Sequence, residues 1–185
     1  MESEVPGLYY IAKNELDTDL EGKIDRNKWT ALTDSPNSRK VQHYGYKYNY
    51  NTYRIDEPTT PFPEFIQEMS HRLREICLDL GIIDESYVFN QCIINEYKVG
   101  QGISAHTDVS TYGSVIGCYT IDGCGNMVFT KGDSKTILRV APGSLYIMAG
   151  DARKIWKHKM NPMRKRDGSR RISITFRNVS ILEKK

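Results

Sequence analysis

The clearest pattern in the chain is a strict alternation between Arg171 and Arg177. In Arg171-Ile172-Ser173-Ile174-Thr175-Phe176-Arg177, three large apolar side chains alternate with two arginines and two hydroxyls. A strand sends successive side chains to opposite faces. This run therefore predicts a strand with one apolar face and one polar, cationic face. A different period marks residues 64–80. Phe65, Met69, Leu73, Ile76 and Leu80 fall on one helical stripe, and Gly81 follows as a stop. Asn14 is placed to cap a shorter helix reaching Asp25, with Leu16, Leu20 and Ile24 at four-residue spacing.

Short strand-like runs fill most of the remainder: 8–11, one starting between Trp29 and Leu32, 88–99, 103–109, 114–121, 127–131, 136–140 and 144–148. Ser35-Pro36-Asn37-Ser38 and Ala141-Pro142-Gly143 read as turns. Asp122-Gly123-Cys124-Gly125-Asn126 predicts a hairpin joining 114–121 to 127–131. Tyr44, Tyr46, Tyr48 and Tyr50 alternate, which on one strand would line one face. Many short strands with Gly-rich turns, behind two helices, predict a mainly β fold with flanking helices, a barrel or a sandwich.

Composition changes this picture little. Hydrophobic content of 39%, charged content of 26% and a net charge of +3 are ordinary for a globular chain. The distribution of charge is more informative. Residues 2–25 hold seven acids against Lys13 and Lys23, whereas 153–171 holds nine bases against Asp167. A basic face for a polyanion is one consequence, and a solvated loop is the plainer one. Cys77 and Cys92 read as buried free thiols. Cys118 and Cys124 flank the expected hairpin and have the option to pair, although reduced thiols are the simpler expectation. No apolar run approaches membrane-spanning length and the first residues are acidic, so a soluble intracellular protein is expected.

Candidate chemistry centres on Asn95 to Asp108. On a strand, His106 and Asp108 would share a face, and a second histidine would complete two imidazoles and one carboxylate. Such a set leaves half an octahedron open, as non-haem Fe(II) oxygenases require. Of the four histidines, two lie in this suspected metal region, His106 and His158, the latter following the strand at 144–148. By itself His-x-Asp is a weak signal. The polar face of 171–177 strengthens it, because buried arginines need an anion, and guanidinium forks suit carboxylates.

Taken together, Asn95-x-Tyr97, His106-x-Asp108, His158 and Arg171-x5-Arg177 resemble, in order and spacing, the Fe(II)/2-oxoglutarate dioxygenases of the AlkB family. Pro6-Gly7-Leu8-Tyr9 and the 39–50 segment resemble that family's opening elements, so the likeness spans nearly the whole chain. The resemblance implies a double-stranded β-helix (jelly-roll) core at about 86–180. A helical flank and nucleotide-recognition lid would occupy about 1–85, all in a single domain. It implies Fe(II) on His106, Asp108 and His158. Arg171 would take the distal carboxylate of 2-oxoglutarate, with help from Tyr97 and Ser173. Asn95 and Arg177 would serve the metal-proximal end, Arg177 also bracing Asp108. Arg39, His43, Tyr44 and Tyr46 would contact substrate. O2 and 2-oxoglutarate would be consumed to hydroxylate a C–H bond. An N-methyl base would then lose formaldehyde, and a carbon-bound side chain would keep the hydroxyl.

Alkylation-repair members of the family usually carry an acid just after the metal-binding aspartate. Here Val109-Ser110 follow. His43-Tyr44-Gly45-Tyr46 and Tyr97-x-x-Gly100-Gln101-Gly102-Ile103 look closest to the branch that hydroxylates a modified wobble uridine in tRNA. Three readings stay open. The first is an oxygenase of a base in nucleic acid, RNA ahead of DNA and wobble uridine ahead of alkylated-base repair. The second is an oxygenase of a protein or small molecule. The third is a binding module on a cupin-like barrel, which the triad and the arginines oppose. A monomer without membrane contact is expected. RNA binding would come from the cations at Lys154, Lys157, Lys159, Arg164, Lys165 and Arg166 or from a partner protein.

Overall fold

A computed structural model describes residues 4–35, 38–52 and 54–180. Pro36 and Asn37, the centre of one expected turn, lie outside the described residues. In chain order the strands are β1 (Leu8–Ile11), β2 (Thr30–Ala31), β3 (Lys40–Tyr44), β4 (Tyr46–Asn49) and β5 (Arg54–Pro58). They continue as β6 (Gln91–Lys98), β7 (Ile103–His106), β8 (Ile116–Asp122), β9 (Gly125–Lys131), β10 (Ser134–Val140), β11 (Leu145–Met148), β12 (Lys157–Met160) and β13 (Arg170–Arg177). The helices are α1 (Leu20–Asp25), α2 (Glu64–Asp79) and α3 (Gly150–Lys154).

The strands form a seven-stranded sheet in the order β1-β11-β8-β13-β6-β3-β2, a four-stranded sheet β10-β9-β12-β7, and the separate pair β4-β5. Every pairing is antiparallel. From β6 onward the chain passes repeatedly from one large sheet to the other, which is the winding of a jelly roll. This corrects the expected hairpin at 122–126. β8 belongs to the larger sheet and β9 to the smaller, so the Gly-rich turn is a corner between sheets. The hairpin is instead β9-β10, turning at Gly132 with φ of 56°. All four cysteines are free thiols.

β13 divides the core as its alternation predicts. Ile172, Ile174 and Phe176 join Ile94, Tyr119 and Ile147 beneath Phe65, Ile66, Leu73 and Cys77 of α2. Arg171, Ser173, Thr175 and Arg177 face the space between the sheets. Gly117 lets α2 approach, since a Cβ there would lie 2.6 Å from Leu73 Cδ2. A second cluster, with Phe129, Met148, Trp156 and Met160, packs between the sheets. Leu80 lies at the helix end and is 41% exposed, while Cys77 takes the buried position.

Two further expectations change. The first helix begins at Leu20, because Asp17 accepts the backbone N–H of Asp19 and favours a local turn. Asn14 is no cap; its side chain donates to Gly143 O at 3.0 Å. The tyrosine run is not one strand either. Gly45 has φ of 76°, and a Cβ there would lie 1.9 Å from Asn90 O. Only glycine passes that bend, and it moves the chain from β3 in the larger sheet to β4 in the separate pair. No helix among the described residues is long and apolar enough to cross a membrane.

Candidate metal and cosubstrate site

His106 ends β7 and lies opposite His158 of β12. The two rings are 4.4 Å apart. Asp108 lies beyond the end of β7, so strand alternation is not what aims it. Arg177 does that, donating from Nε to Asp108 Oδ2 at 2.7 Å. The other oxygen, Oδ1, lies 3.2 Å from His106 Nε2 and 3.5 Å from His158 Nε2. One donor atom from each of the three residues lies within 4.8 Å of the others. His106 Nδ1 donates to Ser104 O at 2.8 Å, which leaves Nε2 facing Asp108 as a metal ligand requires.

In the metal-free protein, electrostatics favours that state at Asp108 and His158 and holds a proton on His106 that a metal would displace. Burial pushes the Asp108 carboxyl up, but the Arg177 guanidinium and the two imidazoles outweigh it and hold it well below the usual carboxylate range. Burial lowers His158, so its ring is neutral. Burial also opposes protonation of His106, yet the hydrogen bond to Asp108 wins and raises it. Two imidazoles and one anionic carboxylate form a donor set suited to a divalent metal with open positions.

Beside this triad the interior is lined by Asn95, Tyr97, Arg171, Ser173, Thr175 and Arg177. Register explains the grouping: Arg171 pairs with Tyr97 and Ser173 with Asn95 across β13 and β6. Arg171 is 2% exposed, and Nη2 donates to Thr120 Oγ1 at 3.1 Å. Its Nε has no partner, and no carboxylate pairs with it among the described residues. The guanidinium sits 5.4 Å from the Tyr97 ring centre. Asn95 Oδ1 and Arg177 Nη1 are also buried without partners. A buried cation left this way costs several kcal/mol, and a carboxylate ligand removes that cost. The donor set and the orphaned groups thus fit Fe(II) and 2-oxoglutarate together.

The expected substrate residues are only partly gathered. Arg39 lies over the Tyr97 ring, 5.5 Å from its centre. The His43 ring lies tilted against Tyr50 at 5.8 Å, and burial, Lys47 and Arg177 push it down to about 4, so it is neutral. Tyr44 turns away into the helix-side core and donates to Gln42 Oε1 at 2.8 Å. Tyr46 opens β4, where Gly45 has already changed the facing. In their place Tyr48 and Tyr50 form an edge contact at 4.9 Å, and Tyr48 meets Tyr112 at 6.1 Å. Tyr112 in turn lies under Arg177 at 4.7 Å. An aromatic wall therefore runs from β3 and β4 to the triad, bordering a groove of about 550 Å³ that includes Lys47 and Asn51.

Arg153 is legible in the sequence only as the first base of the 153–171 run. It is 5% exposed and lies at the end of α3. Its guanidinium donates to Asp108 O at 3.0 Å, Val109 O at 2.8 Å, Tyr112 O at 2.9 Å and Gly113 O at 3.1 Å. It clamps the loop that leaves Asp108. Its partners are backbone carbonyls, which carry no sequence signature.

A family model described as the 2OG-Fe(II) oxygenase superfamily matches residues 21–177. Protein L905 of Acanthamoeba polyphaga mimivirus, described as uncharacterized, is 32% identical over 174 residues, covering 85% of this chain and 76% of that protein. The mouse tRNA (carboxymethyluridine(34)-5-O)-methyltransferase ALKBH8 is 27% identical over 170 residues, covering 88% of this chain but 25% of that protein. The Arabidopsis thaliana alkylated DNA repair protein ALKBH8 homolog is 28% identical over 213 residues, covering 96% of this chain and 60% of that protein. Among solved structures, OsALKBH1 superposes with a TM-score of 0.70 at 13% identity, covering 96% of this chain and 99% of that one. A Pseudomonas putida prolyl-4-hydroxylase gives 0.62 at 15% identity, covering 94% and 93%. At those identities the structural likeness concerns the fold alone. Family match and site geometry converge: the chain belongs to the 2OG-Fe(II) oxygenase superfamily, as a member of the AlkB type.

Proposed function

We propose that this chain hydroxylates a base in nucleic acid, RNA ahead of DNA, with a modified tRNA wobble uridine as the favoured substrate. Superfamily membership brings Fe(II), 2-oxoglutarate and O2. His106, Asp108 and His158 would hold the metal. Fe(II) held there, with 2-oxoglutarate and O2, would supply oxidative decarboxylation of 2-oxoglutarate to succinate and CO2, coupled to conversion of a substrate C–H into C–OH.

The protein's own side chains supply binding and orientation. Arg171 receives the distal carboxylate of 2-oxoglutarate as a charge-assisted pair, with Tyr97 and Ser173 as the adjoining polar contacts. Asn95 and Arg177 serve the metal-proximal end. Arg177 also fixes the Asp108 carboxylate, leaving Oδ1 toward the two imidazoles. The Arg153 clamp holds the backbone that follows. The buried setting of these side chains strengthens each of these interactions.

The aromatic wall of His43, Tyr50, Tyr48 and Tyr112 carries the substrate reading. Bases stack on rings, and single-stranded RNA loops are read by such stacking. Val109 and Ser110 follow Asp108 where an acid would address an alkylated, cationic base. Two relatives are named for tRNA wobble-uridine modification and alkylated-DNA repair, and the chain spans only 25% and 60% of their lengths. Arg39, His43 and Tyr46 remain the proposed lid contacts, joined by Tyr48 and Tyr50. The segment from β1 to β4 is proposed to form one functional unit with the jelly roll.

Mass spectrometry after incubation with Fe(II), 2-oxoglutarate and a panel of RNAs tests this. One added oxygen on a tRNA wobble uridine is the expected product. Loss of CH2 from methylated oligonucleotides would instead assign demethylation. Turnover confined to peptides or free metabolites would refute the nucleic-acid reading.

A further inference from the structure

The nine bases between Arg153 and Arg171 are only partly used by the site. Arg153 and Arg171 are buried, and Arg170 is held by Glu21, Asp25 and Glu96. The rest surround β12. Lys157 lies opposite Thr130, which lies opposite Lys135. Lys159 lies opposite Val128, which lies opposite Ile137. Directly opposed residues share a face of a sheet, and His158 between the two lysines points inward to the triad. Lys135, Lys157 and Lys159 therefore stand together on the outer face of the four-stranded sheet. Lys157 and Lys159 are about 7 Å apart along the strand. Beyond Met160 the chain continues into exposed Arg164, Lys165 and Arg166.

None of these six cations forms an ion pair among the described residues. The nearby acid Asp167 is already taken by Arg139 at 2.6 Å. On the other side of the molecule α2 is net acidic, exposing Glu64, Glu68, Glu75 and Asp79 against Arg72 and the half-buried Arg74. Such polarity orients a polyanion toward one face before contact. The basic face also leads to the chemistry, because β7, which carries His106, is the edge strand of the same sheet.

We propose that this outer face is a docking surface for the phosphate backbone of the RNA substrate, with Lys135, Lys157 and Lys159 at its centre and Arg164–Arg166 extending it. The inference rests on the nucleic-acid reading above. Lysines on flexible stems over a flat sheet match a chain of evenly spaced phosphates. They do not match a folded protein partner, whose interfaces are depleted of lysine and built on aromatic anchors. The contacts are to backbone, so they give affinity and register without sequence preference.

Fluorescence anisotropy with a labelled tRNA anticodon arm, titrated over a range of salt concentrations, tests this on the whole chain. The variant Lys135→Glu/Lys157→Glu/Lys159→Glu is compared with wild type and with Lys13→Glu, which lies outside the face. All three substitutions are of side chains outside the core, and circular dichroism melting verifies folding. The expected result is weaker binding by tenfold or more. The slope of log K against log salt should also be shallower by about 2, from roughly 0.7 per lost single-strand phosphate contact. Lys13→Glu should match wild type. An unchanged slope in the triple variant overturns the docking surface and leaves the nucleic-acid reading standing. Wild type that binds no RNA at low salt overturns both. Loss of binding to anionic vesicles, with RNA binding intact, assigns the face to a membrane and overturns the proposal.

Discussion

The two faces of the larger sheet are built from the same strands and obey opposite rules. On the α2 side, Ile172, Ile174 and Phe176 are fully buried among hydrocarbon, and the cluster there draws its stability from packing. On the inner side, Arg171, Ser173 and Thr175 are buried and Arg177 is largely so, yet Arg171 Nε, Arg177 Nη1 and Asn95 Oδ1 lack partners. A chain selected only to fold would not accumulate such costs on one face. Such costs are what the proposed metal and 2-oxoglutarate site would offset, while the opposite face supplies the packing.

If so, substitutions on the two faces separate activity from stability. The largest effect belongs to Asp108→Ala, which removes a metal ligand and leaves Arg177 without its carboxylate. Succinate formation from 2-oxoglutarate should fall by at least about 100-fold. On the helix side, Leu73→Ala should cost about 2–5 kcal/mol in urea unfolding, because Leu73 projects from α2 onto Gly117 of the larger sheet. Turnover per folded molecule should persist. If both variants lose activity and stability alike, the division between faces is wrong.

Arg171→Met sharpens the comparison. Loss of a charge-assisted carboxylate contact is worth about 1.5–3 kcal/mol, so the KM for 2-oxoglutarate should rise about 10- to 150-fold. The ligand-free fold should be equally stable or more so, since an unpaired buried charge is removed. A large drop in melting temperature without ligand would instead make Arg171 structural.

The smallest effect lies at the sheet's margin, where Arg170 ties α1 to β13 through Asp25. The hydrogen bond from Arg170 holds the Asp25 carboxyl below its ordinary value, against a smaller opposing effect of burial. That contribution is present above the unfolded carboxylate pKa and is lost as pH falls through the lowered folded value. Asp25→Asn should therefore lose up to about 1 kcal/mol at pH 7. At pH 2 it should unfold with wild type, and equal stability at both pH values would remove the pair from the account.

Legibility in the sequence followed the same division. The β13 alternation, the α2 stripe and the pair His106 and Asp108 were readable because each is a short-range pattern. Asp108 nevertheless reaches the triad by a different route, past the end of β7 and held by Arg177. The corner at Gly123 looked like a hairpin because turn chemistry does not encode which sheet the next strand joins. Gly45 broke the tyrosine alternation by forcing a left-handed bend, so Tyr44 entered the core while Tyr48 and Tyr50 joined the aromatic wall with His43 and Tyr112. The Arg153 clamp left no trace because it binds only carbonyls.

The most direct test of the central claim is calorimetric titration of 2-oxoglutarate into the protein loaded with Mn(II), a redox-silent stand-in for Fe(II). Saturable one-to-one binding to wild type, lost in Asp108→Ala and weakened at least tenfold in Arg171→Met, is the predicted result. Equal 2-oxoglutarate affinity in all three proteins would contradict the assignment of the inner face.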